Sequence, residues 1–264
     1  PGVWIDRAMV AGRKVLRLTL DSDFTAKPMA EREAYVSDWI ERHLLPELEK
    51  LDPNLRHVFA QDSPRHRDFS LAGPIVIGQD MRRSVPFVLE MHNVPARQQE
   101  QIVWTMVERL PRRCGGAMDA TGSGETFAEY TADKFGSSVH QVKLSQTWYG
   151  TWMPKLIQAH EDGVIDYPAD ADLAGDVRAI EDVNGIPQIT SVRRKDLKDP
   201  ELYRHGDFAA FLVLGWFATL NLAADIAWQS APRQPRGFDN VVAGRLTDRL
   251  DDTGDIAPPE PKAW

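Results

Sequence analysis

The chain has 264 residues, 42% of them hydrophobic and 27% charged, with a formal net charge of −8. That is the composition of a globular protein long enough for one large domain or two small ones. A single cysteine, Cys114, excludes an internal disulfide framework and a cysteine-based zinc cluster, and makes a reducing cytosol the default compartment. The negative balance argues against a generally adhesive nucleic-acid binder and leaves room for a local basic groove around an acidic centre.

The chain begins at Pro1 without an initiator methionine and with no basic-then-apolar leader. It reads as a piece of a longer protein that is not secreted. Residues 1–56 read as a lead-in that packs on the main domain. Lys14 to Leu20 alternates like a strand, and Lys27 to Lys50 carries Tyr35, Trp39, Ile40, Leu44 and Leu48 at helical spacing. Pro46 falls inside that pattern and predicts a kink or a split.

From His57 the texture changes to short strands. Arg56–Asp62, Ser70–Gly78 and Pro86–His92 read as an antiparallel meander. An amphipathic helix over Ala96 to Arg109 follows, then a small strand ending on Asp119. Further helices are expected over Glu125 to Phe135, Trp148 to His160 and Asp170 to Ile180, with short strands at Val139 to Leu144 and Val164 to Tyr167 between them. Asn184-Gly185 marks a hairpin turn. Strands alternating with helices after a meander predict a mixed α/β sheet covered on both faces. Phe208 to Ala224 lacks charge over its whole length. Asp207 and Asp225 bound it and Gly215, Thr219 and Asn221 interrupt it, so it reads as a buried core helix rather than a membrane span. Residues 57–228 form the expected main domain, and 229–264, rich in Pro, Gly, Arg and Asp, a C-terminal extension.

Three acids stand at element ends: Asp62 closes the first strand of the meander, Asp119 the strand after the helical crossover, and Asp207 precedes the long apolar helix. Gathered at one sheet edge, they would repel one another unless cations sat among them. Oxygen ligands without cysteine select magnesium or manganese, and two such ions could activate water and stabilise the leaving oxygen of a phosphodiester. Each acid also has a plainer reading: Asp62 a turn residue, Asp119 the cap of a turn, Asp207 an N-cap. Gly122-Ser123-Gly124 lacks the lysine of a phosphate-binding loop, so its glycines are read as letting the backbone turn closely beside Asp119. Basic residues in the turns, namely Arg65, Arg67, Arg82, Arg83, Arg193, Arg194 and Lys195, are candidate phosphate contacts if they flank the acids. His205 could assist a metal-bound water or simply face solvent.

The stretches FAQDSPRHRDFSL, AMDATGSGETFAEYTADKFG and HGDFAAFLVLGW resemble the nuclease domain of phage large terminase subunits, in the Mu-like phage and prophage branch. The resemblance covers about residues 56–224. It implies a ribonuclease H-like fold and a DNA endonuclease with two divalent ions held by Asp62, Asp119 and Asp207, with Asp68 a further candidate ligand. It also implies double-stranded DNA as substrate, the host cytoplasm as location, and an upstream ATPase domain, portal and small terminase subunit as partners. No Walker motif occurs in this chain, so ATP hydrolysis is not expected of it. A resolvase or transposase-type enzyme on the same fold and a non-catalytic assembly module of the packaging motor are the rival readings.

Overall fold

A computed structural model describes residues 2–63, 69–190 and 192–222. Its helices are α1 (Gly2–Ala8), α2 (Met29–Trp39), α3 (Leu45–Leu48), α4 (Ala96–Arg109), α5 (Glu125–Phe135), α6 (Gln146–Glu161), α7 (Ala171–Arg178) and α8 (Asp207–Leu220). The longer strands are β2 (Lys14–Thr19), β3 (Arg56–Asp62), β4 (Ser70–Ile77), β6 (Phe87–His92), β7 (Arg113–Asp119), β8 (Val139–Val142), β9 (Ile165–Pro168), β10 (Ile180–Val183) and β11 (Ile186–Ile189). Two-residue strands complete the set: β1 (Met9–Val10), β5 (Arg83–Ser84), β12 (Arg194–Lys195) and β13 (Tyr203–Arg204).

The meander forms β3, β4 and β6 in antiparallel register, Asp62 opposite Leu71 and Ser70 opposite Met91. β7 then crosses back through α4 to lie parallel to β3, and β8 lies parallel to β7. The central order β6-β4-β3-β7-β8, three antiparallel strands followed by two parallel ones, is a ribonuclease H-like arrangement. Beyond this centre, β2 adds to β6 in parallel, while β5, β9 and β1 extend the sheet from the far end of β4. The lead-in therefore supplies strands hydrogen-bonded into the sheet.

Alternation along the strands sends successive side chains to two cores. Val58, Ala60 and Ala117 join α6, α7 and α8 on one face. Phe59 and Met118 join α4, α5 and the 29–48 helical segment on the other. Within that segment the chain widens to a π-turn over Ile40–Leu44 just before Pro46. The proline has no N–H to give Arg42's carbonyl, and the wider turn absorbs the break, so the expected kink takes this local form. Nearly all of α8 is buried, as an uncharged stretch apolar all round requires. Among the described residues no helix is long and apolar enough to cross a membrane. The β10–β11 hairpin turns at Asn184 and Gly185, both at positive φ (56° and 81°), the conformation of a type I′ turn.

Candidate active site

The placement of the three acids follows from strand parity. Gln61 and Met118 are register partners on parallel β3 and β7, and Asp62 and Asp119 are the residues that follow them. Each acid lies two positions beyond an alanine, Ala60 or Ala117, that packs against the α8 face, so both point to that face. Asp207 is the first residue of α8, preceded by Gly206 with φ 74° and ψ 24°. Two strand ends and one helix start thus bring the acids to the same edge of the sheet. All three are buried, at 6%, 2% and 7% relative exposure.

Asp62 and Asp207 line one cavity of about 70 Å³, together with Ser63, Leu144, Tyr149, Ile189, His205, Gly206 and Ala210. Asp119 stands at the neighbouring strand end and is not part of the lining. Its Oδ1 accepts from the Thr121 N–H at 2.8 Å, and its carbonyl accepts from Ser63 Oγ at 3.4 Å. The Asp207 carboxylate accepts from the His205 N–H at 3.2 Å. The α8 N-cap position belongs to Gly206, and the Phe208 N–H goes to Asp176 Oδ2 at 3.2 Å.

A buried amide–hydroxyl network fixes the end of the β3–β4 hairpin. Gln61 Nε2 donates to the Asp62 carbonyl (3.0 Å) and lies 3.2 Å from both Ser63 Oγ and Ser70 Oγ, while Ser70 Oγ donates to the Asp62 carbonyl at 3.0 Å. Gly124 closes the space between the two strand ends. A Cβ there would come within 2.4 Å of both the Asp119 carbonyl and Ser63 Oγ, so the backbone does turn closely beside Asp119. On the outer side, Thr121 Oγ1 accepts the Leu144 N–H at 2.9 Å and ties the loop after β8 to the same edge.

Oxygen donors from three carboxylates suit a hard divalent cation. Among the described residues, however, no group of three or more histidine, cysteine or acidic side chains stands in the spacing of a formed metal site. The donor chemistry fits, and two of the three acids already share a cavity.

The described basic candidates do not gather as a set. Arg83 is a correction: it is only 7% exposed, its guanidinium sits 5.0 Å from the centroid of the Trp216 ring, and it donates to the Met81 carbonyl. β5 pairs at Ile77, whereas Asp62 pairs at Leu71, so Arg82 and Arg83 lie towards the other end of β4. That offset is about 20 Å at ~3.3 Å per residue. Arg82 is exposed and 3.6 Å from Asp166. Arg194 is likewise engaged inside the fold, by Asp172 (2.9 Å) and Asp176 (2.7 Å). Arg193 and Lys195 are exposed, and Arg193 lines a second, larger cavity of about 600 Å³ with His92, Asn93 and Tyr203. Arg65, Arg67 and Asp68 lie outside the described residues, as does the 229–264 extension.

Sequence reasoning missed Ser63, Tyr149 and Arg204. Ser63 carried a signal, a polar residue directly after an apolar run that ends on an acid. Tyr149 and Arg204 carried none, because only helix and hairpin packing brings them to this edge.

The sheet and the acidic edge define the chain as a ribonuclease H-like α/β domain. No family model matches it. Curated relatives do. It is 38% identical over 233 residues to the "Mu-like prophage FluMu protein gp28" of Haemophilus influenzae, covering 88% of this chain and 45% of the relative. It is 37% identical over 243 residues to the "Probable terminase, large subunit gp28" of Escherichia phage Mu, covering 90% of this chain and 44% of the relative. Among solved structures, the large terminase nuclease of thermophilic phage G20c with bound magnesium is similar at a TM-score of 0.47 and 15% identity, covering 63% of this chain and 82% of that one. Over about nine tenths of its length the chain is related to these gp28 proteins of phage Mu and a Mu-like prophage, one of them a probable large terminase subunit. It spans less than half the length of the curated relatives it matches.

Proposed function

We propose that this chain is a metal-dependent endodeoxyribonuclease that hydrolyses phosphodiesters of double-stranded DNA, with Asp62, Asp119 and Asp207 holding two magnesium or manganese ions. The observation that carries this reading is the convergence of two strand-terminal acids and one helix-initial acid on the α8 side of one sheet edge. Bound there, the ions would supply an activated water and neutralise charge on the scissile phosphate. The chain's own residues do the positioning. The Gln61–Ser63–Ser70 network holds the backbone under Asp62, the Thr121 N–H orients Asp119, and the His205 N–H orients Asp207. Arg82, Arg193 and Lys195 are the exposed described candidates for phosphate contact, Arg82 towards the far end of β4, and Arg65 and Arg67 are candidates outside the described residues.

In the whole protein this activity would cut DNA during packaging in the host cytoplasm, with an ATPase portion of the same polypeptide, the portal and the small terminase subunit as partners. The direct test is plasmid cleavage with manganese, magnesium or EDTA, wild type beside Asp119→Ala. Metal-dependent nicking or linearisation that disappears in EDTA and in the variant, with the melting temperature retained, is the expected result. Wild-type rates from Asp119→Ala would remove that acid from the site.

A non-catalytic assembly module is the second reading, favoured by the Thr121–Asp119 turn hydrogen bond and the absence of a formed metal cluster among the described residues. Thermal melts separate the two. A site made only on folding stabilises the nuclease by about 2.7 kcal/mol at 100-fold over the dissociation constant for manganese, and leaves the assembly module unchanged.

A further inference from the structure

Behind the cavity lies a buried charge network that the proposed chemistry does not use. Arg204, fully buried, is its centre. It pairs with Glu90 on β6 (2.7 Å), with Asp176 on α7 (2.8 Å) and with Asp196 in the turn between β12 and β13 (3.1 Å). Arg17 on β2 reaches the same Glu90 and Asp196, at 2.7 and 2.8 Å. Both guanidinium groups lie over one ring, that of Phe69, at 4.8 Å for Arg17 and 5.0 Å for Arg204. Arg194 closes the network from the outside through Asp172 and Asp176.

Asp176 is the member that connects this network to the site. It takes the Arg204 guanidinium through both of its oxygens, and its Oδ2 also accepts the Phe208 N–H of α8's first turn at 3.2 Å. Arg204 and Phe208 flank the three-residue stretch His205-Gly206-Asp207, so both ends of that stretch are held by one carboxylate. Gly206 lies between Ile189 and α7 with no room for a side chain: a Cβ would meet Ile189 Cγ2 at 2.5 Å. Asp207 has little freedom left.

Buried ion pairs are a poor means of stabilising a fold, since apolar replacements of similar volume are often equally stable; in some proteins what they supply instead is a single geometry. We infer that Arg204 and Asp176 are positioning residues that set where the Asp207 carboxylate stands relative to Asp62. Neither touches the reacting groups. The inference rests on the nuclease reading above.

The test compares Asp176→Asn with Arg17→Lys in the full chain. Arg17 perturbs the same network from β2, away from α8, and serves as the control for loss of stability. Three readouts are taken: melting temperature, kcat and KM for plasmid cleavage, and the manganese midpoint from metal-induced shifts in melting temperature. Asp176→Asn should lower kcat by up to about a hundredfold, the scale of a 1 Å misplacement, and raise the manganese midpoint, with KM for DNA held. Arg17→Lys should lower the melting temperature and leave kcat and the midpoint near wild type. Arg204→Lys, which retains the charge but not the forked geometry, carries the same comparison if Asp176→Asn does not fold. Folded Asp176 and Arg204 variants with wild-type kcat and midpoint, or losses no greater than those of Arg17→Lys, would overturn the positioning role alone. A wild type that neither cuts nor responds to manganese would overturn the nuclease reading and this inference with it.

Discussion

At the scale of single residues, the site depends on close approaches that tolerate no added atoms. Gly124 is the clearest case, with the Asp119 carbonyl and Ser63 Oγ each within 2.4 Å of where a Cβ would be. Gly124→Ala must push the two strand ends apart, an overpacking that costs about 1–3 kcal/mol. Urea unfolding should register that loss, and cleavage should fall with it because Asp62 and Asp119 belong to those strand ends. A variant of unchanged stability would mean that the loop gives way without strain. The plain alternative for Asp119 is visible at this scale. Asp119 does make the turn hydrogen bond to Thr121 and remains at the sheet edge, so one carboxylate oxygen orients the side chain while the group stays in place as a candidate ligand.

At the scale of elements, α8 carries the edge. Its first residue is a candidate ligand and the rest of its length lies against β3, β4 and β7 with the sheet's α8-side core. Phe211, fully buried, stacks near Phe208 with ring centroids 5.6 Å apart. Phe211→Ala should cost about 3–5 kcal/mol, because a helix buried on all sides cannot collapse into the void. Denaturant titration measures it; a loss below 1 kcal/mol would mean that α8 is less tightly held than its burial indicates. The apolar run was legible as a core helix over residues 208–220, because interruptions and flanking acids oppose a membrane span. The basic turns were not legible. A pair such as Arg82-Arg83 reads the same whether it faces solvent or, as with Arg83, packs on Trp216.

For the whole molecule, burial of titratable groups sets the response to acid. Desolvation holds the imidazoles of His57 and His160 below the ordinary histidine value. The unfolded chain therefore binds these protons first as pH falls. Stability is complete above about pH 6.5 and declines below it, towards the depressed values of the folded state. A second loss follows at lower pH. Burial opposes ionisation of Asp196, but hydrogen bonds from Arg17, the Asp199 N–H and Arg204 outweigh it and hold the carboxyl well below the usual carboxylate range. The unfolded state again takes up the proton first, so stability drops as pH passes below about 4. Melting temperatures from pH 7.5 to 3 should fall monotonically across both windows. A melting temperature that rises between pH 7 and 5.5 would contradict the burial of these histidines.

Taken by itself, the sequence determined the types of most of the longer elements, the meander, the mixed sheet and the three acids at element ends, but not α1 or the two-residue strands. Each of these is written in local periodicity, in turn residues or in a carboxylate that closes an apolar run. The resemblance carried by three short stretches pointed to the same family as the curated relatives. Tertiary structure alone decided which side chains share the edge. Strand parity turned Asp62 and Asp119 to the α8 face, and helix packing placed Tyr149 beside the cavity. Folding also took Arg83 and Arg204 out of solvent and brought Arg194, half-buried, to Asp172 and Asp176. Pairing across 114 positions, as between Glu90 and Arg204, has no local signature, because its energy exists only once sheet and helices have closed around it.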